Sequence, residues 1–444
     1  MQALSSEQIA AIVGSDSKVA PAVITGVSTD SRKCGQHDVF IAISGEKFDG
    51  HDFVPDVIAA GCPLVIVNRL LPDVLPEKQI VVTDTLIAYG KIGAYNRSLF
   101  KGKVIGLTGS AGKTTTKEEL KFALTEFGKV YATVGNHNNF IGVPESLCNM
   151  DLTADFAVIE MGMSSKGEIS RLTSFVKPDI AIITNVYPMH IEFFKNLQGI
   201  AEAKAEIFEG LPPKGGIAII NADTNYADIL EQKAAAHNAE IVKFGQNYQP
   251  KVKVDNVSAG EHCLYNAWCV LKTVEALGLN VAKAAEKIKT FEPLEGRGKP
   301  YTLNLSANKG TYTLIDDSYS GQPEAMKLAI KSLNSLKTNG RKIAVLGKMA
   351  ELGACSKQKH IEIGRELAKS NINIVVGVCP EMKDMLAELP PHITQYYFEN
   401  KDNLADFLLN QLLQNKDIVL IKGARYSSKL YQVADELKEK GLKA

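Results

Sequence analysis

The chain has 444 residues, 45% of them hydrophobic and 23% charged, with Lys+Arg and Asp+Glu both at 50. A single core rarely grows beyond roughly 250–300 residues, so two or three domains are expected. Balanced charge argues against nucleic-acid binding through bulk basic charge, no apolar run is long enough to span a bilayer, and residues 1–15 lack a basic, then apolar leader. A cytoplasmic protein with no membrane or nucleic-acid partner is expected. The seven cysteines form no CxxC pair, which suits reduced thiols rather than a zinc ribbon or disulfide frame.

Strand-like apolar runs alternate with amphipathic stretches along the whole chain, the pattern of α/β folds with mainly parallel sheets. Three blocks are predicted, 1–98, 99–296 and 297–444. In the first, Ser5 is the candidate cap of an opening helix, and strands are predicted at 23–27, 39–43, 64–67 and 80–82. The second opens with a buried-looking strand at 103–107 and a helix over 113–127. Strands follow near 130 and at 157–159, 180–184, 217–220 and 241–244. The third has strands at 311–315, 342–346, 372–378 and 418–421.

Residues 106–117 read Gly-Leu-Thr-Gly-Ser-Ala-Gly-Lys-Thr-Thr-Thr-Lys between a strand and a helix. Gly109 and Gly112 let the backbone approach a phosphate, and the helix N-terminus adds positive dipole. Lys113 is placed to reach the β- and γ-phosphates and Thr114 to ligate Mg²⁺. The strict phosphate-loop pattern wants a glycine where Leu107 stands. A guanine-reading Asn-Lys-x-Asp is missing, since Asn415-Lys416-Asp417 has the wrong spacing and precedes a strand, so ATP is the better nucleotide. In a doubly wound sheet, ligands gather at the C-terminal ends of strands. Glu160 and His190 follow two such strands. Lys204 lies within an apparent helix, where a lysine ordinarily forms solvated ion pairs.

Further motifs resemble the Mur ligases, the ATP-dependent amide-forming enzymes of peptidoglycan synthesis. Thr108-Gly-Ser-Ala-Gly-Lys-Thr-Thr resembles that family's shortened ATP loop. Asn185 to His190, then Ala203-Lys204-Ala-Glu-Ile-Phe, resembles its second metal region. The resemblance implies three domains: an N-terminal α/β UDP-binding domain, a central phosphate-loop ATPase domain with a mostly parallel sheet, and a C-terminal Rossmann-like domain. Glu160-Met-Gly-Met-Ser-Ser-Lys-Gly-Glu-Ile, Asn136-His-Asn-Asn-Phe-Ile-Gly-Val-Pro and Ile315-Asp-Asp-Ser-Tyr are similar to the branch that adds D-alanyl-D-alanine. The implied substrates are ATP, UDP-N-acetylmuramoyl-tripeptide and D-alanyl-D-alanine.

The resemblance also implies roles. Thr108, Gly109, Ser110, Ala111, Gly112, Lys113, Thr114, Asn266, Arg297 and Asp317 are expected to contact ATP. Thr114 and Glu160 would hold one Mg²⁺, and His190 with a carbamylated Lys204 a second. Lys113, Lys204 and His190 are the expected catalytic groups. Asp30, Ser31, Arg32, Ser44, Asn136, Asn139, Lys422 and Arg425 are expected at the UDP-linked substrate, in a chain acting as a monomer.

Departures from the family pattern are Cys263, Ser320, Gln322 and Lys348, and a short stretch at 245–259. A diaminopimelate- or lysine-adding ligase, a folylpolyglutamate synthase-like ligase and a non-catalytic nucleotide switch stay open as alternatives.

Overall fold

The computed structural model describes residues 1–45, 48–188, 193–194, 196–254, 261–305 and 309–442. Strands β1 (Leu4–Ser5) and β2 (Val23–Ile24) form a small antiparallel pair. Ser5 does cap the opening helix, Ser6–Val13: its side chain accepts from the Gln8 N–H while the Gln8 side chain returns to the Ser5 backbone. The strand predicted at 23–27 is broken, because the Thr25 and Gly26 N–H groups turn away to His37 O. Beyond the break runs β3 (Gly26–Ser28), the first strand of a four-stranded parallel sheet with β4 (Asp38–Ile41), β5 (Leu64–Val67) and β6 (Gln79–Val81).

The helix Thr85–Leu99 leads out of this sheet and lies against helices Gly142–Cys148 and Glu168–Val176. Its small residues permit the close approach. A Cβ at Gly90 would strike the Phe175 ring, and one at Gly93 would come within 3.0 Å of Leu147 Cβ. The Asn96 amide donates to Leu147 O at 2.8 Å, so the contact is polar as well as apolar.

The second sheet is entirely parallel. Its strands are β7 (Lys103–Thr108), β8 (Val130–Ala132), β9 (Phe156–Glu160), β10 (Ile180–Ile183), β11 (Ile217–Asn221) and β12 (Glu240–Phe244), in the order β12-β11-β10-β7-β9-β8. β9 and β10 are buried along their full length, as both faces are covered by helices. The third sheet holds β13 (Lys299–Asn304), β14 (Thr311–Asp317), β15 (Lys342–Gly347), β16 (Ile374–Val378), β17 (Thr394–Phe398) and β18 (Ile418–Lys422), in the order β13-β14-β18-β15-β16-β17. Only β13 is antiparallel.

β13 and β17 are edge strands that escape sequence inspection because neither is an unbroken apolar run. β13 carries Pro300, which an edge tolerates, and β17 starts with exposed Thr394 and Gln395. The helix predicted over 113–127 closes at Leu124.

Candidate active site

The phosphate loop follows β7, and the order of the sheet decides what surrounds it. β7 lies between β9 and β10, so their C-terminal ends deliver Glu160 on one side and Thr184–Asn185 on the other. The loop is pinned to the β10 side. Ser110 N–H donates to Asn185 O (3.1 Å), Ala111 N–H to Asn185 Oδ1 (2.7 Å), and the Thr184 hydroxyl to Ala111 O (2.8 Å). Gly112 begins the helix Lys113–Leu124 at φ 76°, a left-handed conformation that suits glycine. A Cβ there would also lie 3.0 Å from Asn266 Oδ1.

Lys113 Nζ folds back to donate to Gly109 O at 2.9 Å. Burial pulls its ammonium below the ordinary lysine range; Glu160 opposes that shift and Arg297 adds to it. One residue on, the Thr114 hydroxyl donates to Glu160 Oε1 at 3.2 Å. The Asn138 amide donates to the same oxygen at 2.8 Å. The other oxygen, Oε2, is buried without a hydrogen-bond partner and lies 3.7 Å from the Lys117 ammonium. An orphaned carboxylate oxygen beside a threonine hydroxyl is a donor set that fits a hard divalent cation such as Mg²⁺, whose shell phosphate and water would complete.

Lys204 lies on the helix Leu197–Ala205 and is 2% exposed. Among the described residues no acid pairs with it. Burial first, and the charge of Lys113 second, drive its amine well below the usual lysine value. His190 lies outside the described residues.

The third block completes a cleft of about 1210 Å³ over the loop. Arg297, Asp317, Lys422 and Arg425 all line it, as do Asn136 and Asn266 from the second block. Lys422 is buried and donates to Asp317 Oδ2 at 2.7 Å, so these two residues answer each other across adjacent strands. Arg297 Cζ stands 4.0 Å from the Tyr319 ring centroid. The Asn266 amide oxygen accepts from Thr116 at 3.2 Å. The departures Ser320, Gln322 and Lys348 line the cleft too, Lys348 bound to Glu381 at 2.5 Å. Cys263 does not; burial pushes its thiol up to about 12.

Other expected residues fall elsewhere. Asn139 does not line the cleft: its amide oxygen accepts from Ile141 and Gly142 N–H at 3.1 and 2.9 Å, where the helix Gly142–Cys148 begins. Thr108 ends β7 with its hydroxyl buried and unpaired. Asp30, Ser31, Arg32 and Ser44 lie in loops after β3 and β4, at one edge of the first sheet. There Arg32 makes two 2.8 Å bonds to the Asp30 carboxylate and holds it down at about 2, while the Ser44 hydroxyl donates to Asp49 at 2.9 Å.

Inspection of the sequence gave Asn138, Asn185 and Tyr319 no role of their own, although each falls inside a motif quoted for the resemblance. Asn138 and Asn185 follow parallel strands, a position that alone could have marked them.

Three family models match the chain: Mur ligase family, catalytic domain, over residues 23–87; Mur ligase middle domain, over 107–275; and Mur ligase, glutamate ligase domain, over 303–425. A relative from Escherichia coli K12, named UDP-N-acetylmuramoyl-tripeptide–D-alanyl-D-alanine ligase, is 31% identical over 98% of both chains. A crystal structure of MurF from Acinetobacter baumannii superposes with a TM-score of 0.88 at 29% identity, covering 99% of each chain. MurF from Thermotoga maritima, solved in complex with ADP, gives 0.80 at 26% identity, covering 94% of this chain and 97% of that one.

Proposed function

The chain belongs to the Mur ligase family, and we propose that it joins D-alanyl-D-alanine to UDP-N-acetylmuramoyl-tripeptide at the expense of ATP. The reaction closes the amide-forming steps of peptidoglycan precursor synthesis. Residues 1–98 would bind the UDP moiety, 99–296 ATP, and 297–444 would cover the reacting groups. A monomer working in the cytoplasm suits soluble nucleotide substrates; no helix among the described residues is long and apolar enough to cross a membrane.

A carboxylate is a poor acyl donor. In the proposed sequence, the terminal carboxylate of the tripeptide attacks the γ-phosphorus of ATP, the bond to the bridging oxygen breaks, and ADP leaves. The amine of D-alanyl-D-alanine then attacks the acyl carbon, loses a proton, and inorganic phosphate departs. The first step brings an anion against an anion, so positive charge must be fixed around the transferred group before it moves. Lys113 lies at the loop for that purpose, with Arg297 close enough to be felt electrostatically. Bound Mg²⁺ would neutralise phosphate charge and orient it. Thr114 and Glu160 would hold one ion, His190 and Lys204 another. Lys204 is suited to that task because a neutral buried amine adds to carbon dioxide and, on losing a proton, becomes an anionic carbamate with two oxygen donors. The cover formed by the third block would exclude water, which otherwise hydrolyses the acyl phosphate.

The observation that carries this chemistry is the Thr114–Glu160 contact with its orphaned Oε2, next to Lys113. Phosphate release is the test. With ATP, Mg²⁺ and UDP-N-acetylmuramoyl-tripeptide present, release should depend on added D-alanyl-D-alanine. Preference for diaminopimelate, lysine or glutamate would move the assignment to another ligase of this architecture. Steady hydrolysis independent of acceptor and amine would point to a nucleotide switch.

A further inference from the structure

We propose that Tyr319 is a positioning residue whose ring holds two guanidinium groups, Arg297 and Arg425, in place while leaving their charge available to anionic substrates. The proposal rests on the ligase reading of the cleft.

Two cations that the third block presents to the cleft are matched by acids: Lys422 by Asp317 at 2.7 Å and Lys348 by Glu381 at 2.5 Å. Arg297 and Arg425 are different. Among the described residues neither has a carboxylate within ion-pair distance. Their partners are rings instead. Arg297 Cζ lies 4.0 Å from the Tyr319 centroid; Arg425 Cζ lies 5.4 Å from it and 4.3 Å from that of Tyr431. A carboxylate would cancel a guanidinium's charge, whereas an aromatic face attracts it through the ring quadrupole and leaves the net charge intact.

The backbone fixes the same grouping. Tyr319 N–H donates to Gly296 O at 3.0 Å, and Arg425 N–H donates to Tyr319 O at 3.3 Å. The ring therefore joins the segment before β13, the end of β14 and the segment after β18, and all three of its members line the cleft. Arg297 is close enough for its charge to act on Lys113, and Arg425 lines the same cleft. Removing one ring should weaken both.

The experiment compares full-length Tyr319→Phe and Tyr319→Leu with the parent. Calorimetry gives the Kd for ADP, phosphate release gives KM for ATP and for the UDP-linked tripeptide, and a thermal melt reports folding. Tyr319→Phe should stay near the parent, since the hydroxyl takes no part. Tyr319→Leu should raise the ADP Kd and both KM values about tenfold. Because Leu could disturb packing, a nearly isosteric series of mono-, di- and trifluorinated phenylalanine at the same position supplies a second arm. ADP affinity should fall stepwise as fluorine drains the ring face. A flat fluorine series, or Leu behaving like Phe, would overturn the proposal, as would Phe failing as badly as Leu. Failure of the parent to release phosphate in response to amine would sink the ligase reading instead, and the ADP series would still judge the ring.

Discussion

The hydroxyl of Thr114 donates to Glu160 Oε1 across 3.2 Å, tying the first turn of the helix after the phosphate loop to the end of β9. The contact brings together the two oxygen donors proposed to hold Mg²⁺. Replacing Glu160 with Gln keeps the shape and removes the anion. It should lower kcat/KM by about two orders of magnitude or more and raise the Mg²⁺ concentration needed for half-maximal rate. A Mg²⁺ titration of phosphate release, run beside a melting curve, checks both; an unchanged requirement for Mg²⁺ would remove Glu160 from the metal site.

Lys204→Ala should abolish ligation while leaving the melting temperature close to that of the parent, because among the described residues no acid pairs with the buried amine, so removing it frees the fold of an uncompensated polar group. The parent should lose rate when assayed free of carbon dioxide and regain it on adding bicarbonate. The variant should not respond. A bicarbonate-independent parent would argue against a carbamate at this position.

Glu119 offers a pH signature unrelated to catalysis. Burial raises its carboxyl from 4.5 to about 8. The folded protein therefore binds the proton more tightly than the unfolded chain. Its contribution is fully present below about pH 4.5 and is lost as pH rises towards 8, a change of up to roughly 5 kcal/mol. Glu119→Gln should match the parent in melting temperature near pH 5 and exceed it near pH 8. Parallel curves at the two pH values would contradict the burial argument.

Asp317→Asn should destabilise the third block by about 3 kcal/mol, because it leaves the buried Lys422 ammonium without a counter-charge. Replacing both, Asp317→Leu with Lys422→Met, should recover much of that stability without recovering ligation. Urea unfolding followed alongside activity separates the two effects.

The parts of the protein that read well from sequence are those set by local chemistry. The Gly109–Thr114 loop is recognisable because a strand, two glycines, a lysine and a helix stand in a fixed order. The buried parallel strands show as unbroken apolar runs. Features that depend on distant partners do not show. Nothing near Lys204 in the sequence reveals that its amine is buried beside Lys113; the resemblance to a family was needed to single it out. Asn139 looks equivalent to Asn136 and Asn138, yet it bonds backbone N–H groups at the start of a helix, while the other two line the cleft and Asn138 holds Glu160. The grouping of Tyr319 with two arginines brings in Arg425 from more than a hundred positions away, which no local sequence pattern shows.

The glycines of the helix Thr85–Leu99 have a mechanical result. By letting that helix sink against its neighbours, Gly90 and Gly93 join the first two blocks along a dense seam, so the two behave as one jig. For a sugar nucleotide held, as proposed, by the loops after β3 and β4, that seam would set how far the grip stands from Lys113.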